Sequence, residues 1–136
     1  MIMITKTTIS LILFSSITFS LIGCLETGSS DKKVKSLKVD YELEAQVIID
    51  AYDANEIAAD AKFNDKVLIV EGIVAKIESS GLISGPTVIL EDEYSGLDCE
   101  LVETETKQAA RLEKGMKVRI RGELAYKNKM HHCVFE

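Results

Sequence analysis

The stretch KVLIVEGIVAKIE, residues 66–78, decides the fold. It is rich in β-branched residues and apolar on both sides at its start, as a strand running into a core would be. Gly72 stands at its middle, and a glycine inside a strand marks the sharp bend or bulge that a small barrel needs where it curls. The period of two recurs downstream. Residues 86–91 and 97–103 read as strands around the acidic turn Glu91-Asp92-Glu93-Tyr94-Ser95-Gly96. The second puts Leu97, Cys99 and Leu101 on one face and Asp98 and Glu100 on the other. Residues 116–124 turn Met116, Val118, Ile120 and Leu124 inward and Lys117, Arg119, Arg121 and Glu123 outward, with a second central glycine, Gly122. Lys127-Asn128-Lys129 reverses the chain, and residues 130–135 form the last strand.

Two helices complete the pattern. Residues 41–61 carry Leu43, Val47, Ala51, Ala54, Ala58 and Ala61 at steps of three and four, with Ile48, Tyr52, Asn55 and Ala59 alongside, and Asp40 is the expected N-cap. Residues 105–112 form a short helix capped by Thr104 and ended by Lys114-Gly115. Three strands, a helix and two strands is the order of the OB-fold, a five-stranded Greek-key barrel. The expected class is therefore mainly β: an OB barrel with a preceding N-terminal helix and a short helix between its third and fourth strands. An SH3-like barrel would not normally place a helix there.

Composition agrees with a single small globular domain of the 136-residue chain: 46% hydrophobic, 28% charged, a net charge of −6, no Trp and one proline, Pro86. Wholesale wrapping of nucleic acid or anionic lipid is disfavoured by that charge. No internal repeat occurs.

Residues 1–24 hold one charged side chain, Lys6, followed by an apolar run of about 14 residues that is too short to span a membrane, which takes roughly 20. The run reads as an export signal. It ends in Leu21-Ile22-Gly23-Cys24, which resembles the lipobox of bacterial lipoproteins at all four positions. The resemblance implies cleavage after residue 23, a thioether-linked diacylglycerol on Cys24, and a membrane-anchored mature chain of net charge −7 in the cell envelope. With Leu25 next, the outer membrane is favoured in a two-membrane host. Residues 25–40 (LETGSSDKKVKSLKVD) are polar and aperiodic and read as a tether, so the expected division is signal 1–23, lipidated Cys and tether 24–40, and domain 41–136. Lys32, Lys33, Lys35 and Lys38 read as solvated linker charges.

The domain also resembles the tRNA-anti-like family of OB-fold proteins, mostly small bacterial lipoproteins. The likeness lies in Ala51-Tyr52-Asp53-Ala54-Asn55-Glu56-Ile57-Ala58-Ala59-Asp60-Ala61-Lys62-Phe63, Lys66-Val67, Val70-Glu71-Gly72, the Cys99 strand, Lys114-Gly115-Met116-Lys117-Val118 and Cys133. It runs from about Leu43 to the end, and the helix motif Asn55-Glu56-Ile57-Ala58-Ala59-Asp60 is its most specific part. The family name implies an OB fold but no demonstrated RNA binding.

With Cys24 assigned, Cys99 and Cys133 remain, an even pair in an exported domain. OB topology lays the third and fifth strands side by side, so a disulfide is expected. It would close a loop of about 35 residues and add roughly 3–4 kcal/mol; two buried thiols are the other outcome. No C-x-x-C redox motif occurs. His131-His132-Cys133 suggests zinc, but neighbouring strand residues face opposite ways, so no metal is expected. Glu91-Asp92-Glu93 with Asp98 lacks EF-hand spacing. No catalytic or cofactor motif is present, and a non-enzyme is expected.

Charge is unevenly spread: residues 25–106 hold seven cations against nineteen carboxylates, and residues 107–133 eight against two. The expected binding face is the stripe Lys117, Arg119 and Arg121 with Tyr126, Lys127 and Lys129, suited to an envelope protein or an anionic ligand. Charge reversal at Arg119 and Arg121 is expected to remove capture and spare thermal stability. Single-stranded nucleic acid is the second hypothesis, weakened by the scarcity of aromatics for base stacking: Tyr94 and Tyr126 are the obvious loop candidates.

Overall fold

The structure is a computed structural model that describes residues 30–79, 81 and 84–136. The signal segment, the lipobox and Cys24 lie outside the described residues. The described elements are α1 (Ser30–Ser36), β1 (Tyr41–Glu44), α2 (Ala45–Ala54), α3 (Glu56–Phe63), β2 (Val67–Glu78), β3 (Thr87–Leu90), β4 (Leu97–Leu101), a 3-10 turn (Glu103–Glu105), α4 (Thr106–Ala109), β5 (Lys117–Tyr126) and β6 (Lys129–Phe135).

β2, β3, β4, β6 and β5 pair in that order, and β5 returns to pair with β2, closing a five-stranded barrel of OB type. The fold expected from the strand pattern is the one formed. Both strand glycines sit where nothing larger fits. A Cβ on Gly72 would lie 2.9 Å from Glu91 Oε1 and 3.0 Å from the Ala45 Cβ, and one on Gly122 would lie 2.6 Å from Cys133 Sγ. The β5–β6 register slips between Arg121 and Glu123, around Gly122. Ile48, Phe63, Leu68, Leu90, Leu97, Ile120, Leu124 and Met130 are fully buried in one core.

The N-terminal region departs from the helical expectation in three ways. First, Tyr41–Glu44 is a strand, not the start of a helix. One edge of β2 is covered by β5 along residues 67–73, but β3 covers the other edge only from Val74 to Glu78. That leaves residues 68–71 with unpaired backbone groups, and β1 fills the gap in parallel register, Tyr41 opposite Leu68 and Glu44 opposite Glu71. Asp40, the expected helix cap, serves this strand instead. Its N–H donates to Val67 O at 2.8 Å, and its Oδ2 accepts from Val67 N at 2.9 Å.

Second, the helix is split at Asn55. The Asn55 N–H closes α2 on Ala51 O at 3.0 Å, and its side-chain Oδ1 accepts from Ala58 N at 3.1 Å to start α3. The buried face is Ala45, Ile48, Ile49, Tyr52, Ala59 and Phe63, whereas Val47, placed on the expected stripe, is exposed. Tyr52 Oη donates to Asp60 Oδ1 at 2.8 Å across the break, and burial pushes its phenol far above the ordinary range.

Third, the expected tether is structured from Ser30. Val34 of α1 is 1% exposed, and α1 packs on β5 and β6. Residues 105–112 are also tighter than expected, a 3-10 turn followed by the single helical turn α4. No described helix is long and apolar enough to cross a membrane.

Candidate ligand-binding face

β5 does turn Lys117, Arg119 and Arg121 outward, as its alternation requires. Because β2 lies beside it and β1 next beyond β2, acidic side chains from those strands and from the chain end meet them. Lys117 pairs with Glu71, Arg119 Nη2 donates to Glu42 Oε2 at 3.0 Å, and Arg121 pairs with Glu136. Lys127, at the β5–β6 turn, pairs with Glu56 at 3.3 Å. The hydrogen bond from Lys117 holds the Glu71 carboxyl below the usual carboxylate range. Among the described residues, the Tyr126 and Lys129 side chains alone of the stripe have no ion-pair or hydrogen-bond partner; Tyr126 is exposed, and Lys129 stands opposite Asp98 in the β4–β6 register.

Arg121 differs from its neighbours. Its side chain is only 15% exposed, and Nη1 donates to Lys35 O at 2.9 Å and Leu37 O at 3.3 Å. A guanidinium at the last carbonyls of α1 satisfies groups the helix leaves open and complements its dipole. Arg121 therefore pins α1 to the barrel, and its reversal cannot be neutral for stability as the sequence pattern alone suggested.

In OB barrels the outer face of the second and third barrel strands, with the loops at its rim, receives the ligand. Here those strands are β3 and β4. Thr87 pairs with Glu100 and Ile89 with Asp98, so these four side chains share the outer face while Val88, Leu90, Cys99 and Leu101 enter the core. Lys76 and Glu78 of β2 flank it on one side and Lys129 and His131 of β6 on the other. Burial pushes the Asp98 carboxyl up, opposed by the Lys129 charge and assisted by Glu78. His131 Nδ1 lies 2.7 Å from Glu100 Oε2. At the far end of this face a cleft of about 350 Å³ is lined by Ser84, Gly85, Glu100, Glu103, His131 and His132. A second, of about 390 Å³, lies between Ile77, Pro86, Ala109 and neighbouring residues of the β2–β3 loop and α4.

The remaining candidates resolve into structure. In the acidic turn, Asp92 Oδ1 accepts from Tyr94 N at 2.8 Å, Ser95 N at 2.9 Å and Ser95 Oγ at 3.1 Å, which fixes the reversal. Glu91 Oε1 accepts from Ile73 N at 3.0 Å, and Glu93 pairs with Lys114. Among the described residues no three His, Cys, Asp or Glu side chains are grouped to hold a metal ion. Cys99 and Cys133 lie buried on the neighbouring strands β4 and β6, as expected, with both thiols free in the structure.

The fold and this face define an OB-type binding module. The tRNA_anti-like family model matches residues 1–134, and the chain belongs to that family. No curated protein matches the chain.

Proposed function

We propose that the chain is a lipid-anchored lipoprotein of the bacterial cell envelope whose barrel is a non-catalytic binding module, working through the outer face of β3 and β4. In a two-membrane host it sits on the periplasmic side of the outer membrane. The leader and the Leu21-Ile22-Gly23-Cys24 motif support the anchor. The observation that carries the binding face is the contrast in pairing. Lys117, Arg119, Arg121 and Lys127 are all engaged by carboxylates of the same chain, while on the surface that OB barrels use Glu100 meets only a histidine and Asp98 has Lys129 only as a strand neighbour. A partner meeting Asp98 and Glu100 offers cationic or hydrogen-bond-donating groups, so a segment of an envelope protein fits better than an anionic ligand. The same contrast weighs against single-stranded nucleic acid, whose phosphates need unpaired cations.

Two experiments test the reading. A labelled fatty acid should enter the wild-type chain and not Cys24→Ala; label in neither removes the anchor. Cross-linking in intact cells at native level should recover one recurrent envelope protein, with capture reduced about tenfold in Asp98→Asn/Glu100→Gln and retained in Arg119→Glu, the scale of one or two lost charged hydrogen bonds. The reverse pattern returns the binding face to β5. Salt-dependent retention of single-stranded oligonucleotides would replace the protein-partner reading outright.

A further inference from the structure

Within its pairing with β4, β6 carries one extra residue. Between the pairs Cys99–Met130 and Leu101–Cys133, β4 advances two residues while β6 advances three. The extra residue is taken up at His132, whose φ of 53° lies in the left-handed region that non-glycine residues rarely enter. Strict alternation from the buried Met130 would turn His132 inward and Cys133 outward. With the bulge, His132 is exposed and Cys133 is fully buried. The bulge thus re-aims one side chain, and that side chain is a thiol.

It is aimed at the other thiol. Cys99 and Leu101 both face the core, so Cys133, opposite Leu101, lies diagonally beside Cys99 on the neighbouring strand. Room for the Cys133 sulfur comes from Gly122, where any Cβ would stand 2.6 Å from it. A strained backbone residue, a glycine and two inward thiols on adjacent strands converge on a single point in the core.

We propose that Cys99 and Cys133 are a disulfide site, closed when the chain folds in an oxidising compartment. The compartment rests on the export reading above. Each thiol loses its hydrogen and a bond forms between the two Sγ atoms. The two electrons and two protons pass to a disulfide donor, small molecule or protein, whose own S–S bond opens to two thiols. Because both residues are fully buried, the exchange takes place before the barrel closes around them. Burial, then the hydrogen bond with Cys99, raises the Cys133 thiol well above its ordinary range, so Cys133 left reduced in the folded barrel holds little thiolate to react later.

The full chain, leader included, is expressed in its bacterial host, isolated from the envelope and denatured in an alkylating agent without reductant. Intact mass then reads the sulfurs at 99 and 133, and the N-terminal peptide of the same sample reads lipid on Cys24. The expected result is a lipidated chain lighter by two hydrogen atoms, with no alkylation at 99 or 133 until a reductant is added. Two alkylated thiols on a lipidated chain overturn the disulfide and leave the anchor standing. Two alkylated thiols on a chain that retains its leader overturn both. A bridge on an unlipidated chain supports the disulfide and removes the anchor. A second readout needs no variant: reductant should lower the denaturation midpoint of the wild-type chain, and an unmoved midpoint counts against the bridge.

Discussion

β5 and β4 present their charges to solvent by the same alternation, yet the two strands use them differently. On β5 the cations face β1, β2 and the chain end, and Glu42, Glu71 and Glu136 take one each. On β4 the two carboxylates face β3 and β6, where Glu100 meets a histidine and Asp98 meets Lys129 only as a strand neighbour. An outward charge is thus less available to a ligand where the topology sets a full opposite charge in contact with it. Net charge along a sequence does not measure that.

The comparison breaks most visibly at Arg121. Arg121→Glu sets two carboxylates side by side and releases the carbonyls of Lys35 and Leu37, at an expected cost of about 2–4 kcal/mol, the range for losing charged hydrogen bonds in a half-buried site. Chemical denaturation measures the loss, and limited proteolysis should cut the released α1 first; an unchanged midpoint would mean that α1 docks without Arg121. Asn55→Ala, away from both faces, should cost about 1 kcal/mol through the lost cap of α3. By contrast Arg119→Ala, which removes an exposed pair with Glu42, should cost about 0.2–1 kcal/mol. A loss as large as that of Arg121 would show that the β5 ladder acts as one unit.

The smallest effect sharpens the contrast further. The carboxyls of the two faces should titrate in opposite senses when followed by NMR. Glu71, held low by Lys117, favours the fold above its unfolded pKa and loses that favour as pH falls through its folded value. Asp98, held high mainly by burial, binds its proton more tightly in the folded chain. Its contribution therefore grows as pH falls and is lost as pH rises from the unfolded to the folded value. Lys117→Met should raise the Glu71 value, and Lys129→Met should raise Asp98 still further. Shifts of the same sign for both carboxyls would dissolve the distinction between the faces.

The barrel strands were legible because each carries its own period and two of them carry a glycine at the bend. Their neighbours were not, because distant residues decide them. Residues 41–44 satisfy a helical stripe and a short alternation equally well, and the open edge of β2 selects the strand. α1 has no apolar period at all; a buried valine, an arginine 86 residues away from Lys35 and the ion pair of Lys35 with Glu105 hold it. The split at Asn55 could have been found, since Asn-Glu inside an alanine-rich run is a cap signal. The candidate face was half legible. Asp98 and Glu100 read as outward, but the sequence places no partner opposite the β5 cations, so it could not show that Glu71, Glu42 and Glu136 engage the basic stripe.

The surface that receives α1 is built by β5 and β6, the last of the described strands to be synthesised, whereas residues 30–37 are among the first described residues to emerge. Throughout most of synthesis α1 therefore has nowhere to dock, and it joins the barrel only once β5 and β6 have formed. Circularly permuting β6 ahead of β2 should protect α1 from proteolysis earlier in folding, and unchanged timing would show that α1 docks without that surface.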